Sequence, residues 1–253
     1  MDQVRAILIL LPDAPIPDAV SVQRADAIVV VPPFFSLSNE DADAEPEPSQ
    51  ARSQIADHFT AIAERVPALL ELGPPVYLAI PAIDSGLVRE YLLRTLQPGV
   101  YGVATQPPVS VEQLRYLEGV IEDVELRADI RPGLTAMAVG FEHPRALNIM
   151  SEALAAMRES ADRMTWIAFN HEELAQTLGV EPDSATIIHA SSRAILTAAA
   201  FDLPVVYGSV ADAEFAAALG FRGVATIDPS DLERLRTIFD RPDPEATEAE
   251  EDS

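Results

Sequence analysis

The residues able to do chemistry in this chain are few and of restricted kinds. Among 253 residues there is no cysteine, which removes thiolate nucleophiles, disulfides, iron–sulfur clusters and cysteine-based zinc sites. There is no lysine either, since all 17 basic residues are arginine. Schiff-base catalysis, covalent pyridoxal phosphate and a Walker A lysine are therefore excluded. What remains is carboxylate, hydroxyl and four histidines. Two short stretches that follow apolar runs bring acid and imidazole together, Glu142-His143 and His171-Glu172-Glu173. Carboxylates alone suit a hard cation such as Mg²⁺. A set of His143 and His171 with Glu142 or Glu173 would suit Zn²⁺, Mn²⁺ or Fe²⁺. Against that set, His143 precedes Pro144 and no H-x-x-H spacing reinforces the pair. His58 and His189 fall on expected helices and read as ordinary surface or core residues.

Positioning such groups needs strands and helices in alternation, and the chain supplies them. Short apolar runs at Arg5–Leu11, Ala27–Val31, Val76–Ile80, Gly102–Thr105, Leu134–Val139, Thr165–Phe169, Val205–Tyr207 and Gly223–Thr226 read as strands. Most are continuously apolar or small, as parallel strands covered on both faces require. Helical spacing falls between them. Ile55, Phe59, Ile62 and Val66 mark one helix, which Pro67 should end or kink. Ser110 with Gln113 is a capping-box pattern ahead of Leu114, Leu117 and Ile121. Ala153, Leu154 and Met157 mark another helix, and Glu172–Leu178 should stop at Gly179. Thr186–Ala200, Ala211–Leu219 and a helix from Ser230 through Phe239 complete the series. Eight strands with helices between most of them predict an α/β fold, a (β/α)₈ TIM barrel forming one domain over 1–239. An open doubly wound sheet is the alternative, with less support because no G-x-G-x-x-G turn follows a strand.

Acidic, proline-rich residues over 32–53 read as a long loop after strand 2, and 240–253 as a disordered acidic tail. Pro32, Pro33, Phe34 and Phe35 would form an apolar rim at the barrel mouth, suited to filling a pocket, meeting a partner or folding over the core. The net charge of −24 repels phosphate backbones and anionic membrane surfaces, so neither nucleic acid nor membrane is an expected partner. No signal peptide or span is evident, and a soluble cytoplasmic protein is expected.

The second half of the chain resembles the HpcH/HpaI aldolase and citrate lyase beta-subunit family. Trp166-Ile-Ala-Phe-Asn-His-Glu-Glu-Leu-Ala, ending in Leu178-Gly179, is similar to the family's "hydrophobic-F-G-x-E-D-L-A … L-G". Ile188-His-Ala-Ser-Ser-Arg193, followed by Leu203-Pro-Val-Val, is similar to "Y-A-R-S-R … G-I-P". Leu219-Gly-Phe-Arg-Gly-Val-Ala-Thr-Ile-Asp-Pro229 is similar to "L-G-F-D-G-K-x-x-I-H-P". The resemblance implies a barrel whose active members use Mg²⁺ to hold an oxygenated carbonyl compound while a carbon–carbon bond is made or broken. It also implies a homo-oligomer, and the C-terminal lid of some members is expected to be lacking, since an acidic tail follows the last barrel helix.

In the first half the outline matches and the chemistry does not. The family's acids after strand 2 would fall at Val31, Pro33 and Phe34, its substrate-gripping arginine at Ala79, its lysine at Pro107 and its histidine at Asp228. Two acids are kept. Glu173 aligns with a metal-binding aspartate, and Glu142 lies at or next to a metal-binding glutamate. As neighbours at the catalytic face they would repel unless a cation or a proton separates them. They could equally face solvent, since acids in a helix's first turn are favoured by its dipole. Arg193 could replace the lost arginine, or be an ordinary helix-surface residue. Two functions follow. One is a catalytically silent barrel used for assembly or for binding a protein partner. The other is an active metal-dependent lyase or aldolase acting on a small oxo- or hydroxy-acid or its CoA thioester, with its site rebuilt around Glu142 and Glu173.

Overall fold

The structure, a computed structural model, describes residues 4–32, 48–160 and 162–240. Eight parallel strands close into a barrel in sequence order, β1 pairing with both β2 and β8. They are β1 (Ala6–Leu10), β2 (Ala27–Val30), β3 (Val76–Ala79), β4 (Gly102–Thr105), β5 (Ala136–Gly140), β6 (Met164–Phe169), β7 (Val205–Tyr207) and β8 (Gly223–Thr226). Around them run α1 (Ala19–Val22), α2 (Pro48–Leu70), α3 (Val88–Thr95), α4 (Val111–Arg127), α5 (Pro144–Ser160), α6 (His171–Leu178), α7 (Ala185–Ala199), α8 (Ala213–Leu219) and α9 (Leu232–Phe239). The expected (β/α)₈ TIM barrel is thus the observed fold.

Strand alternation sorts the apolar residues into two cores. Ile7, Ala27, Val29, Tyr77, Ala136, Ala138, Trp166 and Val206 fill the barrel interior. Their outward-facing neighbours, among them Leu8, Ile28, Leu78, Val139 and Ile167, pack under the helices. Near the interior's base, the Tyr77 ring meets Trp166 edge-on at 5.6 Å, and its hydroxyl pairs with Thr165 Oγ1 at 2.8 Å.

Element ends differ from the sequence expectation where side chains claim the backbone. β5 begins at Ala136 rather than Leu134. Thr135 N–H donates to Glu125 Oε1 at 2.7 Å, so this residue is drawn out of the ladder, and Leu134 is exposed. β1 starts at Ala6 because the Arg5 and Ala6 N–H groups both donate to Asp26 Oδ2. Pro67 does not end α2, which continues to Leu70. A proline in a helix leaves the carbonyl four residues earlier without its donor; here that carbonyl, on Ala63, accepts from Gln97 Nε2 at 3.4 Å. α2 also starts at Pro48, inside the span read as a loop over 32–53. Pro33, Phe34, Phe35 and the tail beyond Asp240 lie outside the described residues, and Pro32 is buried. Ser110 caps α4 as its pattern requires, accepting from Gln113 N–H at 3.3 Å. Among the described residues no helix is long and apolar enough to cross a membrane.

At the base of the barrel a buried ion pair ties three elements together. Arg163, ahead of β6, donates from both terminal nitrogens to Glu125 at the end of α4, at 2.8 and 2.9 Å. Glu125 also accepts the Gly133 and Thr135 N–H groups. Together these partners outweigh the effect of burial and hold its carboxyl down at about 2.

Candidate functional site

Glu142 is the residue the strand geometry handles most unusually. Ala136 and Ala138 face the barrel interior while Met137 and Val139 face the helices, so Gly140 faces inward at the top of β5. Its side-chain space is taken: a Cβ there would stand 2.7 and 2.8 Å from the two carboxylate oxygens of Glu142. The Glu142 carboxylate is thus folded back over its own strand into the barrel mouth, in space that glycine at 140 leaves open. Its Oε2 is buried and has no hydrogen-bond partner among the described residues. Burial, chiefly, pushes this carboxyl up to about 8, and the charge of Glu173 adds to the effect.

Glu173 reaches the same place from β6. Asn170 ends that strand and caps α6, its Oδ1 accepting from the Glu172 and Glu173 N–H groups at 3.1 and 3.3 Å. Gly208, after β7, lets Asn170 close in, because a Cβ there would meet the Asn170 side chain at 2.9 Å. The Glu173 carboxyl is raised by burial, and His143 counters with its charge. His143 opens α5, its Nδ1 accepting the Arg145 N–H at 3.2 Å. Glu173 therefore acts by its charge on both Glu142 and His143, while its own side chain keeps exposed surface.

The other histidine goes elsewhere. His171 is buried against Tyr207 in the core beneath the helices, with rings stacked at 4.5 Å and Nε2 bonded to the tyrosine hydroxyl at 2.9 Å. Burial favours its neutral form, opposed by Glu172 and Asp212. The mixed site of His143 and His171 with a glutamate is therefore not assembled. The spacing could not reveal this, because the first residue of α6 turns into the outer core while the two acids after it stay exposed. Among the described residues no three acids or imidazoles form a metal cluster. His58 and His189 are exposed. Arg193 lies in the helical layer, its guanidinium 3.5 Å from Asn148 Oδ1 of α5. It does not substitute for a mouth arginine.

The remaining mouth positions are apolar. Ala79 is buried and inward-facing on β3. Val31, Ala104 and Ala225 pack on the same interior cluster while keeping some exposure. Asp228 serves as a cap, accepting the Ser230 N–H at 2.8 Å, and that bond holds its carboxyl low. Among the described residues no arginine pairs with Glu142 or Glu173. Two functional parts escaped sequence reasoning, Gly140 and Asn170. A glycine at an inward strand position two residues before an acid is the signal that could have found the first.

Fold and site together describe a (β/α)₈ barrel with two acids beyond the ends of β5 and β6. No family model and no curated protein matches the sequence. Solved structures do match the fold. RipC from Yersinia pestis superposes with a TM-score of 0.64 at 18% identity, covering 97% of this chain and 98% of that one. The magnesium/glyoxylate complex of Haloferax volcanii malate synthase gives 0.70 at 17% identity, over 96% of this chain and 77% of that one. The citrate lyase beta subunit from M. tuberculosis, complexed with oxaloacetate and magnesium, gives 0.61 at 18% identity, over 94% and 98%. The resemblance to the HpcH/HpaI aldolase and citrate lyase beta-subunit family therefore holds at the level of the fold.

Proposed function

We propose that this chain is a catalytically silent barrel of the citrate lyase beta-subunit type, a cytoplasmic homo-oligomer that serves assembly or binding of a protein partner rather than carbon–carbon lysis. One observation carries the reading: Ala79 stands, buried and inward-facing, where the resemblance calls for the arginine that grips substrate oxygen. A lyase of this type must stabilise a developing enolate oxygen, and losing one such electrostatic partner costs roughly 3–4 kcal/mol in the barrier. Val31 and Asp228 depart from the pattern with it.

A second reading, an active metal-dependent lyase or aldolase, draws support from the orphaned Glu142 Oε2 beside Glu173. Two carboxylates with water are a donor set Mg²⁺ accepts. Glu142 and Glu173 would hold the ion, which would supply Lewis-acid stabilisation of an enolate oxygen.

The two readings separate in a calorimetric titration of the metal-stripped protein with Mg²⁺ and Mn²⁺, followed by turnover assays on small oxo- and hydroxy-acids and their CoA thioesters. The silent barrel gives no turnover. Micromolar metal binding and turnover, both abolished by Glu173→Ala, would establish the lyase. Metal affinity that survives Glu173→Ala would remove Glu173 from the ligand set.

A further inference from the structure

Helix α4 carries a glycine that packing within this barrel does not require. Gly119 lies in the middle of Val111–Arg127, where glycine is less favourable than every residue but proline. A Cβ there would meet nothing within 4 Å. The missing side chain therefore serves no neighbour among the described residues, and what it offers is close approach from outside.

The residues around it face outward. Glu112, Arg115, Tyr116, Gly119, Glu122 and Leu126 are exposed and recur at three- and four-residue spacing, forming one stripe along the helix. Tyr116 and Leu126 keep 51% and 65% of their surface exposed, on a helix whose other large apolar residues are buried. Beside Gly119 lies a cleft of about 540 Å³, bounded among others by Glu118, Glu122, Gly133 and Arg163. Asp123 already holds Arg89 and Arg127. Glu122 has no ion-pair partner among the described residues.

This stripe is complementary to itself. In an antiparallel pair of α4 helices about a twofold axis through Gly119, residues equally far before and after the glycine meet. Arg115, four residues before it, then stands against Glu122, three after it, and the contact occurs twice. Tyr116 comes beside Asp123 in the same way, and Leu126 reaches the Glu112 end. Parallel helices would instead oppose Arg115 to Arg115 and Glu122 to Glu122. A foreign partner would need the same charges in reversed order, which a second copy has by symmetry.

We propose that two copies of this chain associate through α4, antiparallel about Gly119, each Arg115 paired with Glu122 of the other copy. The inference rests on the homo-oligomer of the proposed function and gives that oligomer its contact surface. Each copy carries −24, so association needs salt. At 0.15 M the screening length of about 8 Å suppresses the distant repulsion and spares the close pairs.

The test is sedimentation equilibrium on the full chain at 0.15 M salt. The parent chain should approach twice 27.3 kDa by about 100 μM. Arg115→Glu and Glu122→Arg should each weaken self-association about a hundredfold or more, because both contacts become like-charged. Mixed in equal amounts, the two variants should pair again, since every contact between them is once more opposite in sign. Gly119→Glu has open space for its side chain in the single chain, so it should fold, yet it sets bulk and like charge at the axis and should stay monomeric. Melting curves check that all three variants fold. Three results would overturn the proposal. One is a parent chain still at 27.3 kDa at that concentration. Another is a larger mass that neither charge reversal lowers, which is assembly through another face. The third is reversal variants that stay apart when mixed. Turnover of an oxo-acid by the paired chain would remove the silent-barrel reading and leave this interface in place, and a monomer without turnover would do the reverse.

Discussion

Glu142 holds its carboxylate where ionisation is costly, and this has a measurable pH signature. Its carboxyl titrates near 8 in the folded chain against an ordinary 4.5. Between those values the folded state keeps a proton that the unfolded state has lost, so stability falls as pH rises through the window. Glu142→Gln should remove that slope. The variant should match the parent near pH 4 and exceed it above pH 8 by about 1–3 kcal/mol, a gain of several degrees in Tm. Parallel melting curves at every pH would show that the carboxylate is solvated after all. The two acids were legible in the sequence because each follows a strand end. The inward fold of Glu142 was not, since it depends on the missing side chain of Gly140 and on strand phase. Nor was the turning away of His171, which is decided by a tyrosine 36 residues along the chain, Tyr207.

The elements at the barrel base depend on one bidentate pair more than on any surface contact. Glu125 and Arg163 are almost wholly shielded from water, 0% and 2% exposed in their side chains. Removing one partner of a buried pair strands the other's charge and costs about 3–5 kcal/mol, so Arg163→Ala should lower Tm by roughly 10 °C. Arg127→Ala, which breaks an exposed pair with Asp123, should change it by a degree or two, because exposed pairs contribute under about 1 kcal/mol. If both variants melt alike, the base is held by packing alone. Glu125 has the opposite pH sense to Glu142. Its depressed carboxyl adds stability that is fully present above about 4.5 and is lost as pH falls toward 2. Periodicity located the elements well, placing seven of the eight strands within a residue at each end. It missed the start of β5, and it left open whether α2 ends at Pro67 or runs past it, for one reason. Both are set by side chains from other elements, Glu125 and Gln97, which no local pattern contains.

At the scale of the molecule, charge outweighs any single contact. A chain with 41 acids and 17 arginines repels itself, and the repulsion acts over the screening length, about 30 Å at 0.01 M salt and about 10 Å at 0.1 M. Raising salt from 0.01 to 0.5 M should therefore raise Tm steeply at first and then level off. A flat response would mean that the acids are arranged to cancel locally. The barrel itself was readable because eight apolar runs recur between helical segments and admit few topologies. Its closing seam has a different kind of consequence. Ala6 lies in register with Val224, nearly the whole chain away. On a ribosome adding roughly 5–20 residues each second, the first strand emerges tens of seconds before its last neighbour exists. Throughout that interval Ala6–Leu10 offers an open, hydrocarbon-rich edge of the sort that recruits other chains. The interval between first strand and last, rather than the strength of the finished barrel, then sets how much of the newly made protein survives to fold.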